Sequence, residues 1–224
     1  MTVVSEGDNN TFMMMCNDTP HEPVLLQKPD YTPAETVSNS EFDDFDSYVI
    51  DGVKMNMFDE DKVSHYHVNM TTMIQLGKWF DYLRENGVYD NTRIILVADH
   101  GRATYHFGEM FYNDEIFKCD TLKYNPLFMV KDFDSKGFVT DKSFMMNALT
   151  PTFATEGLIE NPVNPFTGNL LPDKPLNGKP YILDSEVRDI IENSGTQYIP
   201  GTWLTVSDDI YDLDNWKIVE NPNN

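Results

Sequence analysis

Apolar and polar residues separate most sharply around residue 98 of the chain. Ile94 to Ala98 form an unbroken apolar run that is rich in β-branched side chains and too short for a helix. This pattern predicts a strand buried on both faces of a parallel sheet. The polar residues Asp99 and His100 follow directly, and Gly101 can adopt the tight turn that leaves the strand. In open α/β sheets the functional crevice lies beyond the carboxyl ends of the strands, so we expect Asp99 and His100 there.

Four other segments have the composition of strands. Thr11 to Cys16 is a short apolar run followed by a polar turn, and it predicts a second buried strand of the same sheet. Pro126 to Phe133 predicts a third strand. Thr202 to Val206 and Trp216 to Val219 place apolar residues on either side of an acidic turn, which favours a hairpin at the edge of the sheet.

Three segments have the features of helices. Between Ser64 and Asn86, apolar residues recur at steps of three and four, and Gly87 follows in the usual position of a helix terminator. The apolar stripe of this helix comprises Tyr66, Met70, Met73, Leu76, Phe80 and Leu83. Thr140 to Gly157 and Ser185 to Asn193 predict two shorter helices, and Ser185 is the expected N-cap of the second.

The order of these elements predicts an α/β fold with a mostly parallel sheet flanked by helices. A long helix leading into the central strand supplies half of a βαβ unit, which favours parallel pairing. We expect residues 1–160 to form an α/β domain, incomplete because the chain begins close to the first predicted strand. Residues 161–224 are expected to form an extension of loop, short helix and edge hairpin that packs on this domain. Residues 27–64 and 102–124 are predicted to be mostly loop.

The composition of the chain argues against some classes of partner. Its 224 residues include 37 acidic and 16 basic side chains, and the formal net charge of −21 opposes binding to nucleic acid or to an anionic membrane surface. No stretch reaches the roughly 18 to 20 consecutive apolar residues of a membrane span. Only two cysteines are present, Cys16 and Cys119, so the chain has no disulfide framework, although a single disulfide is compatible with the sequence.

Asp99 and His100 combine two ligand types that suit a divalent metal. A carboxylate oxygen and a neutral imidazole nitrogen both bind zinc or manganese, and two adjacent residues leaving one strand can reach the same ion. The structural alternative is that Asp99 caps the following turn and His100 packs nearby. His21 follows the predicted strand at Thr11 to Cys16, and it converges with the pair if both strands lie in one parallel sheet.

Residues 66–101 resemble the sulfatase-like branch of the alkaline phosphatase superfamily. The resemblance rests on a long helix followed by YLRENGVYDNTRIILVADHG, and it is to lipoteichoic acid synthases and related membrane-anchored phosphoglycerol or phosphoethanolamine transferases in particular. Pro126 to Phe133 resembles the strand that follows the metal pair in these enzymes. The resemblance implies an alkaline-phosphatase-like fold, with Asp99 and His100 as metal ligands. It also implies that His21 contacts the transferred anionic group or its headgroup.

The function implied by the resemblance is that of the metal-binding C-terminal part of a membrane-anchored, extracellular phosphotransferase or hydrolase. It would be of the phosphoglycerol transferase, phosphoethanolamine transferase or sulfatase type. Its cofactor would be a divalent metal, manganese or zinc rather than calcium or magnesium. Its substrate would be a phosphate or sulfate ester, which includes lipid headgroups, and the membrane would be reached only through N-terminal spans outside this sequence.

The remaining chemistry of the chain leaves two functions open. Neither Cys16 nor Cys119 fits the Cys-x-Pro-x-Arg motif of sulfatases, and in the transferases the nucleophilic threonine lies upstream of the matched region, so we expect this chain to be inactive alone. Arg102 is a candidate for binding an anionic substrate, the alternative being a surface arginine paired with a carboxylate. His106, the one further imidazole near the motif, is also a candidate catalytic residue. The second possible function is a non-catalytic cell-surface module with a remnant divalent-metal site.

Overall fold

The computed structural model divides the chain into two compact units, residues 1–82 and residues 83–224, and each is described by itself. The residues that the structure describes are 11–21, 26–39, 48–50, 52–55, 57, 60–174, 179–185 and 201–222. Helix α1, Glu60–Glu85, crosses the boundary between the units. Within the described residues, no helix has both the length and the hydropathy that crossing a bilayer requires.

The first unit contains two small antiparallel hairpins and most of α1. Strand β1, Leu26–Gln27, pairs with β2, Thr32–Pro33, and β3, Val49–Ile50, pairs with β4, Val53–Lys54. A small apolar core holds this unit together, and the side chains buried in it include Met55, Met57, Val63 and Val68. These short hairpins lie in the described part of residues 27–64, which the sequence predicts to be mostly loop.

The Thr11 to Cys16 segment is not a strand, so this prediction is wrong. Its backbone has no regular structure and its side chains are exposed, with Phe12 84% and Met14 85% accessible to solvent. A buried strand requires both a hydrogen-bonding partner and a covering layer, and the described part of the first unit provides neither for this segment. Apolar composition alone is not sufficient to bury it.

Helix α1 is confirmed, and it ends where the sequence predicts. Gly87 has a φ of 69°, and the Gly87 N–H donates to the Arg84 carbonyl at 3.0 Å while the Val88 N–H donates to that of Leu83 at 3.0 Å. The predicted apolar stripe is buried mainly at its C-terminal end. Leu83 is 4% exposed, whereas Met70 and Met73 are 43% and 39% exposed.

The predicted parallel sheet is wrong, because the described strands form only small antiparallel sheets. Strand β5, Ile94–Val97, is confirmed in position, but it pairs antiparallel with β8, Phe128–Lys131, from Ile94 opposite Lys131 to Val97 opposite Phe128. Parallel pairing needs a crossover connection, usually a helix. The intervening residues instead form a hairpin of β6, Phe111–Asn113, and β7, Lys118–Asp120, which returns the chain to the end of the sheet that it left.

The expectation that β5 is buried on both faces is also wrong. Ile94 is 7% exposed, but Val97 at the other end of the strand is 42% exposed. In the partner strand, Met129 and Val130 are each 37% exposed. A two-stranded ribbon has two open edges and covers less apolar surface than the central strands of a wide sheet, which explains this partial exposure.

The predicted helix from Thr140 to Gly157 is much shorter than expected. A 3-10 helix, Asn147–Leu149, leads into α2, Thr150–Thr155, and Pro151 lies in the first turn of α2. Proline suits this position because the first N–H groups of a helix have no partner within the helix. Residues 140–146 have no regular secondary structure.

The two strands of the C-terminal hairpin are confirmed in position, but they form part of a separate three-stranded sheet and not the edge of the predicted one. Strand β10, Thr202–Val206, pairs antiparallel with β11, Trp216–Val219, and also with β9, Tyr181–Asp184, giving the sheet order β11-β10-β9. The buried side chains of this sheet include Leu204, Val206 and Trp216. The helix predicted from Ser185 to Asn193 falls, after Ser185, on residues that lie outside the described ones.

Two glycines of the α1 region give a test of this helix. Gly77 lies in the helix interior, where an added methyl group would meet only open space, whereas Gly87 requires a positive φ. We expect Gly77→Ala to raise the free energy of unfolding by about 0.5–1 kcal/mol, because alanine reduces the entropy of the unfolded chain and favours the helix. We expect Gly87→Ala to lower it by about 1 kcal/mol. Urea unfolding followed by circular dichroism measures both, and equal effects would contradict the assigned helix end.

Candidate metal site

Asp99 and His100 leave β5 together at the exposed end of the β5–β8 ribbon. The last hydrogen bond of the ribbon joins the Ala98 N–H to the Leu127 carbonyl at 2.9 Å, and the chain then turns away. The Asp99 side chain is 88% exposed and that of His100 is 69% exposed. Their nearest polar atoms, Asp99 Oδ2 and His100 Nε2, are 3.6 Å apart.

The hydrogen bond of the His100 ring determines which nitrogen carries the proton. His100 Nδ1 lies 2.7 Å from the Gly101 carbonyl oxygen. Since a carbonyl oxygen can only accept, Nδ1 carries the proton and donates it. In the neutral ring, Nε2 then keeps its lone pair on the atom that lies nearest to Asp99. A backbone carbonyl commonly fixes metal-binding histidines in this way.

The Asp99 carboxylate is also partly engaged with the backbone. Its Oδ1 atom accepts a hydrogen bond from the His100 backbone N–H at 2.9 Å. Oδ1 therefore contacts only the adjacent backbone and does not cap a following turn, while Oδ2 lies on the His100 side. One carboxylate can serve both purposes, because each of its oxygens has two lone pairs.

The backbone next to Asp99 and His100 leaves no room for a side chain at residue 101. A Cβ atom at this position would overlap the Leu122 carbonyl oxygen and would lie 2.9 Å from that of Asn125. The Gly101 N–H donates to the Lys123 carbonyl at 2.9 Å. The glycine of Asp-His-Gly is thus explained by the close approach of a 3-10 helix, Thr121–Tyr124, to the chain at residue 101.

A buried carboxylate holds this 3-10 helix in place. Asp120 is 1% exposed, and its Oδ1 accepts from the Leu122 N–H at 3.0 Å as the N-cap of the helix. Its Oδ2 accepts from the Tyr105 N–H at 2.7 Å, where the backbone has a φ of 54°. Asp120 therefore joins the loop that follows Asp99 and His100 to the helix that contacts Gly101.

The C-terminal sheet supports the same 3-10 helix from the other end. Lys123 Nζ forms an ion pair with Asp184 Oδ2 of β9 at 2.8 Å, and the rings of Tyr124 and Trp216 lie 5.8 Å apart. Burial raises the pKa of the Tyr124 phenol and, less strongly, that of the Cys119 thiol. The region is therefore packed well enough to disfavour the charged form of both groups.

Arg93 joins the start of β5 to α2. Its Nε donates to Asp132 Oδ1 at 2.8 Å, and Nη1 donates to the carbonyl oxygens of Phe153 and Glu156 at 2.9 and 2.7 Å. The hydrogen bond from Arg93 is the main reason why the pKa of Asp132 is lowered. This guanidinium group satisfies carbonyls at the end of α2 and so fixes the helix beside the strand that carries Asp99.

The other residues predicted for the site lie in different environments. His21 is exposed in a turn of the first unit, where its backbone N–H donates to the Asp18 carbonyl at 3.0 Å. Its approach to Asp99 and His100 stays a prediction. Arg102 is half-buried, and His106 is 8% exposed with its ring 6.5 Å from that of Phe107. Their proposed contacts with a substrate also stay predictions.

Both ring nitrogens of His67 are engaged in hydrogen bonds within the fold. It is 9% exposed in α1, and its Nδ1 and Nε2 atoms lie 3.0 and 2.8 Å from the hydroxyls of Tyr31 and Tyr48. A hydroxyl can donate or accept, so these two contacts satisfy both nitrogens of a neutral ring. His65 lies beside Asn69 instead, with its carbonyl accepting from Asn69 Nδ2 at 2.8 Å.

The donor set at Asp99 and His100 fits part of a metal site. Two ligand atoms of one tetrahedral zinc ion lie about 3.4 Å apart, given bond lengths of about 2.0–2.2 Å, and the observed separation of 3.6 Å is close to this. The chemistry suits zinc or manganese. Among the described residues, however, no group of three His, Cys, Asp or Glu side chains is placed to hold a metal ion. A third ligand is needed.

Sequence patterns did not identify two further residues that shape the site. Asn147 Nδ2 donates to the Asp99 carbonyl at 2.8 Å and lies 3.4 Å from that of Ala98. Lys123 contributes its backbone carbonyl to Gly101. Asparagine near a helix start is a weak sequence signal, since it usually indicates a local cap rather than a contact 48 residues away.

Comparisons of the chain with protein-family models, with curated proteins and with solved structures find no match.

Gly101 and Gly108 form a matched pair for testing the close approach. We expect Gly101→Ala to destabilise the second unit by about 1–3 kcal/mol, because its methyl group cannot fit without moving the backbone of the 3-10 helix. Gly108 has open space around it, so Gly108→Ala should change stability by less than about 1 kcal/mol. Chemical denaturation measures both variants. Equal stabilities would contradict the close contact.

Proposed function

We propose that the chain is the metal-binding part of an extracellular, membrane-anchored phosphotransferase or hydrolase of the sulfatase-like type. The sequence resemblance over residues 66–101 suggests this class, and the arrangement at Asp99 and His100 is compatible with it. The substrate would be a phosphate or sulfate ester, which includes the headgroup of a lipid.

The observation that carries the proposal is the placement of two electron-pair donors beside each other. Asp99 Oδ2 and the lone-pair nitrogen of neutral His100, Nε2, are 3.6 Å apart, and Nδ1 is held by the Gly101 carbonyl. Two such atoms are stabilised by a cation between them, which is either a proton on the imidazole or a divalent metal ion. The pair is also open to solvent, so an ion and a substrate can reach it.

The side chains of this part of the chain would have distinct roles in binding. Asp99 supplies negative charge to the site, His100 supplies a neutral nitrogen, and Arg102 supplies a planar cation for the oxygens of an ester anion. A divalent ion held by Asp99 and His100 would supply a Lewis acid for the ester oxygen. The nucleophile is proposed to come from residues outside this sequence, since neither cysteine has the neighbours of a sulfatase nucleophile.

A second candidate function is a non-catalytic surface module with a remnant metal site. The observation that favours it is the lack of a third ligand beside Asp99 and His100 among the described residues. The two candidates differ in what must complete the site. An enzyme needs further ligands and a nucleophile at this place, whereas a remnant site needs neither.

We expect the chain to bind manganese weakly at Asp99 and His100, with a dissociation constant well above the micromolar range. Two protein ligands are fewer than the three or four that a tight site provides. A proton competes for the same nitrogen, so acid should weaken binding. Calorimetric titration of the wild type and of His100→Ala measures the site.

The control for this titration is His65→Ala, which removes an imidazole outside the Asp-His-Gly sequence. It is needed because a chain with a net charge of −21 attracts divalent ions over its whole surface. Only binding that is lost in His100→Ala and kept in His65→Ala belongs to the site. A sub-micromolar site lost in His100→Ala would show that the chain carries a complete metal centre.

We expect no turnover of aryl phosphates or aryl sulfates by this chain alone. A metal-binding pair without a nucleophile cannot form the covalent intermediate that divides the reaction barrier into two smaller ones. The assay uses generic aryl esters with manganese, zinc or calcium, and Asp99→Asn serves as the control for contaminating activity. Turnover that disappears in Asp99→Asn would contradict the prediction and would place the nucleophile in this sequence.

A further inference from the structure

Asn147 contacts the backbone of the candidate metal pair from a separate part of the chain. Its side-chain amide nitrogen, Nδ2, donates to the Asp99 carbonyl at 2.8 Å and lies 3.4 Å from the Ala98 carbonyl. These two carbonyls belong to the last residue of the apolar run and to the first ligand of the pair. The amide therefore bridges the point at which the chain leaves β5.

We propose that Asn147 is a positioning residue for metal binding at Asp99 and His100, acting through the Asp99 backbone carbonyl. This inference rests on the proposed function and adds a residue to its site. Asn147 does not contact the ligand atoms themselves. By holding the Asp99 carbonyl, it limits rotation of the peptide unit that joins the two ligand residues.

The fold holds Asn147 firmly enough for such a role. Asn147 is the first residue of the 3-10 helix that leads into α2, and Leu149 in the same turn is fully buried. The Thr150 hydroxyl donates to the Asn147 carbonyl at 2.6 Å, which fixes the backbone at this residue. In α2, the ring of Phe153 packs against that of Phe128 in β8 at 5.1 Å. The helix that presents Asn147 is thus attached to the ribbon that presents Asp99.

The chemistry of the contact requires an amide rather than a carboxylate. A carbonyl oxygen accepts hydrogen bonds, and Asn147 Nδ2 supplies a donor. Aspartate at the same position has the same shape but no donor when ionised, so its oxygens would repel the Asp99 carbonyl. Gly101 is held on the other side by the Lys123 carbonyl. The two contacts hold the backbone on either side of His100.

The test compares manganese binding by the full chain and by two variants. Asn147→Asp removes the donor and keeps the shape, and Asn147→Ala removes the donor without adding charge, so the second is informative if the first fails to fold. We expect each to bind manganese about tenfold more weakly than the wild type, the lower end of the effect typical of residues that orient metal ligands. Manganese-induced broadening of the His100 ring signals, titrated by NMR below the unfolding temperature of each variant, measures affinity in folded molecules only.

Asn215→Asp is the matched control within the same unit. Asn215 Nδ2 donates to the Asp209 carbonyl at 2.9 Å, so the substitution removes an equivalent hydrogen bond away from the pair. We expect it to bind manganese like the wild type even where it lowers thermal stability to a similar extent. The Asp99 carbonyl carbon shift should change in the Asn147 variants and not in Asn215→Asp.

The outcomes separate this inference from the proposed function. If the Asn147 variants bind manganese within about twofold of the wild type while His100→Ala loses binding, Asn147 is not a positioning residue and the proposed metal site stands. If the wild type broadens no more at His100 than at other exposed histidines, the proposed function fails and the inference fails with it. If the Asn147 variants bind manganese tenfold more weakly and Asn215→Asp binds it like the wild type, the result supports both the inference and the proposed function.

Discussion

The candidate site depends on the close approach of the backbone at Gly101 to the 3-10 helix Thr121–Tyr124. A side chain at residue 101 would overlap the Leu122 carbonyl, and the Gly101 N–H donates to the Lys123 carbonyl. Asp120 caps this 3-10 helix and joins it to the loop after Asp99 and His100. The ion pair between Lys123 and Asp184 then connects it to the C-terminal sheet. Through these contacts, residues far along the chain determine the path of the backbone at His100.

The antiparallel pairing of β5 with β8 gives the pair a different setting from that of a crevice in a parallel sheet. Asp99 and His100 lie at the end of a two-stranded ribbon and are largely exposed. Water and other ions compete strongly in such a position, and the attraction between charges is weaker than in a buried site. Selective metal binding there requires that the two donors be held at a fixed separation, because little else favours the ion.

Two features of the structure supply that rigidity. The Gly101 carbonyl selects the tautomer of His100, and the Asn147 amide lies against the Asp99 carbonyl. Arg93 holds the end of α2 beside β5, so the helix that begins after Asn147 is fixed at both ends. The contacts of His100 with Gly101 and of Asn147 with Asp99 involve neutral donors and backbone acceptors, and they leave the lone pairs of Nε2 and Oδ2 available to a cation. The arrangement leaves two donor atoms side by side, and the proposed metal centre would need further donors to be complete.

The sequence by itself determined the elements whose formation depends on neighbouring residues. The period of apolar residues and Gly87 defined α1, and the apolar runs located β5, β8 and the β10–β11 hairpin. The motif also located Asp99 and His100 as adjacent polar residues at a strand end. Only the tertiary structure decided that β5 pairs antiparallel, that Thr11 to Cys16 is exposed, and that Asn147 contacts Asp99. A local pattern shows which secondary structure one segment favours. Strand pairing and long-range hydrogen bonds depend in addition on which distant segment supplies partners for the unpaired backbone groups of that segment.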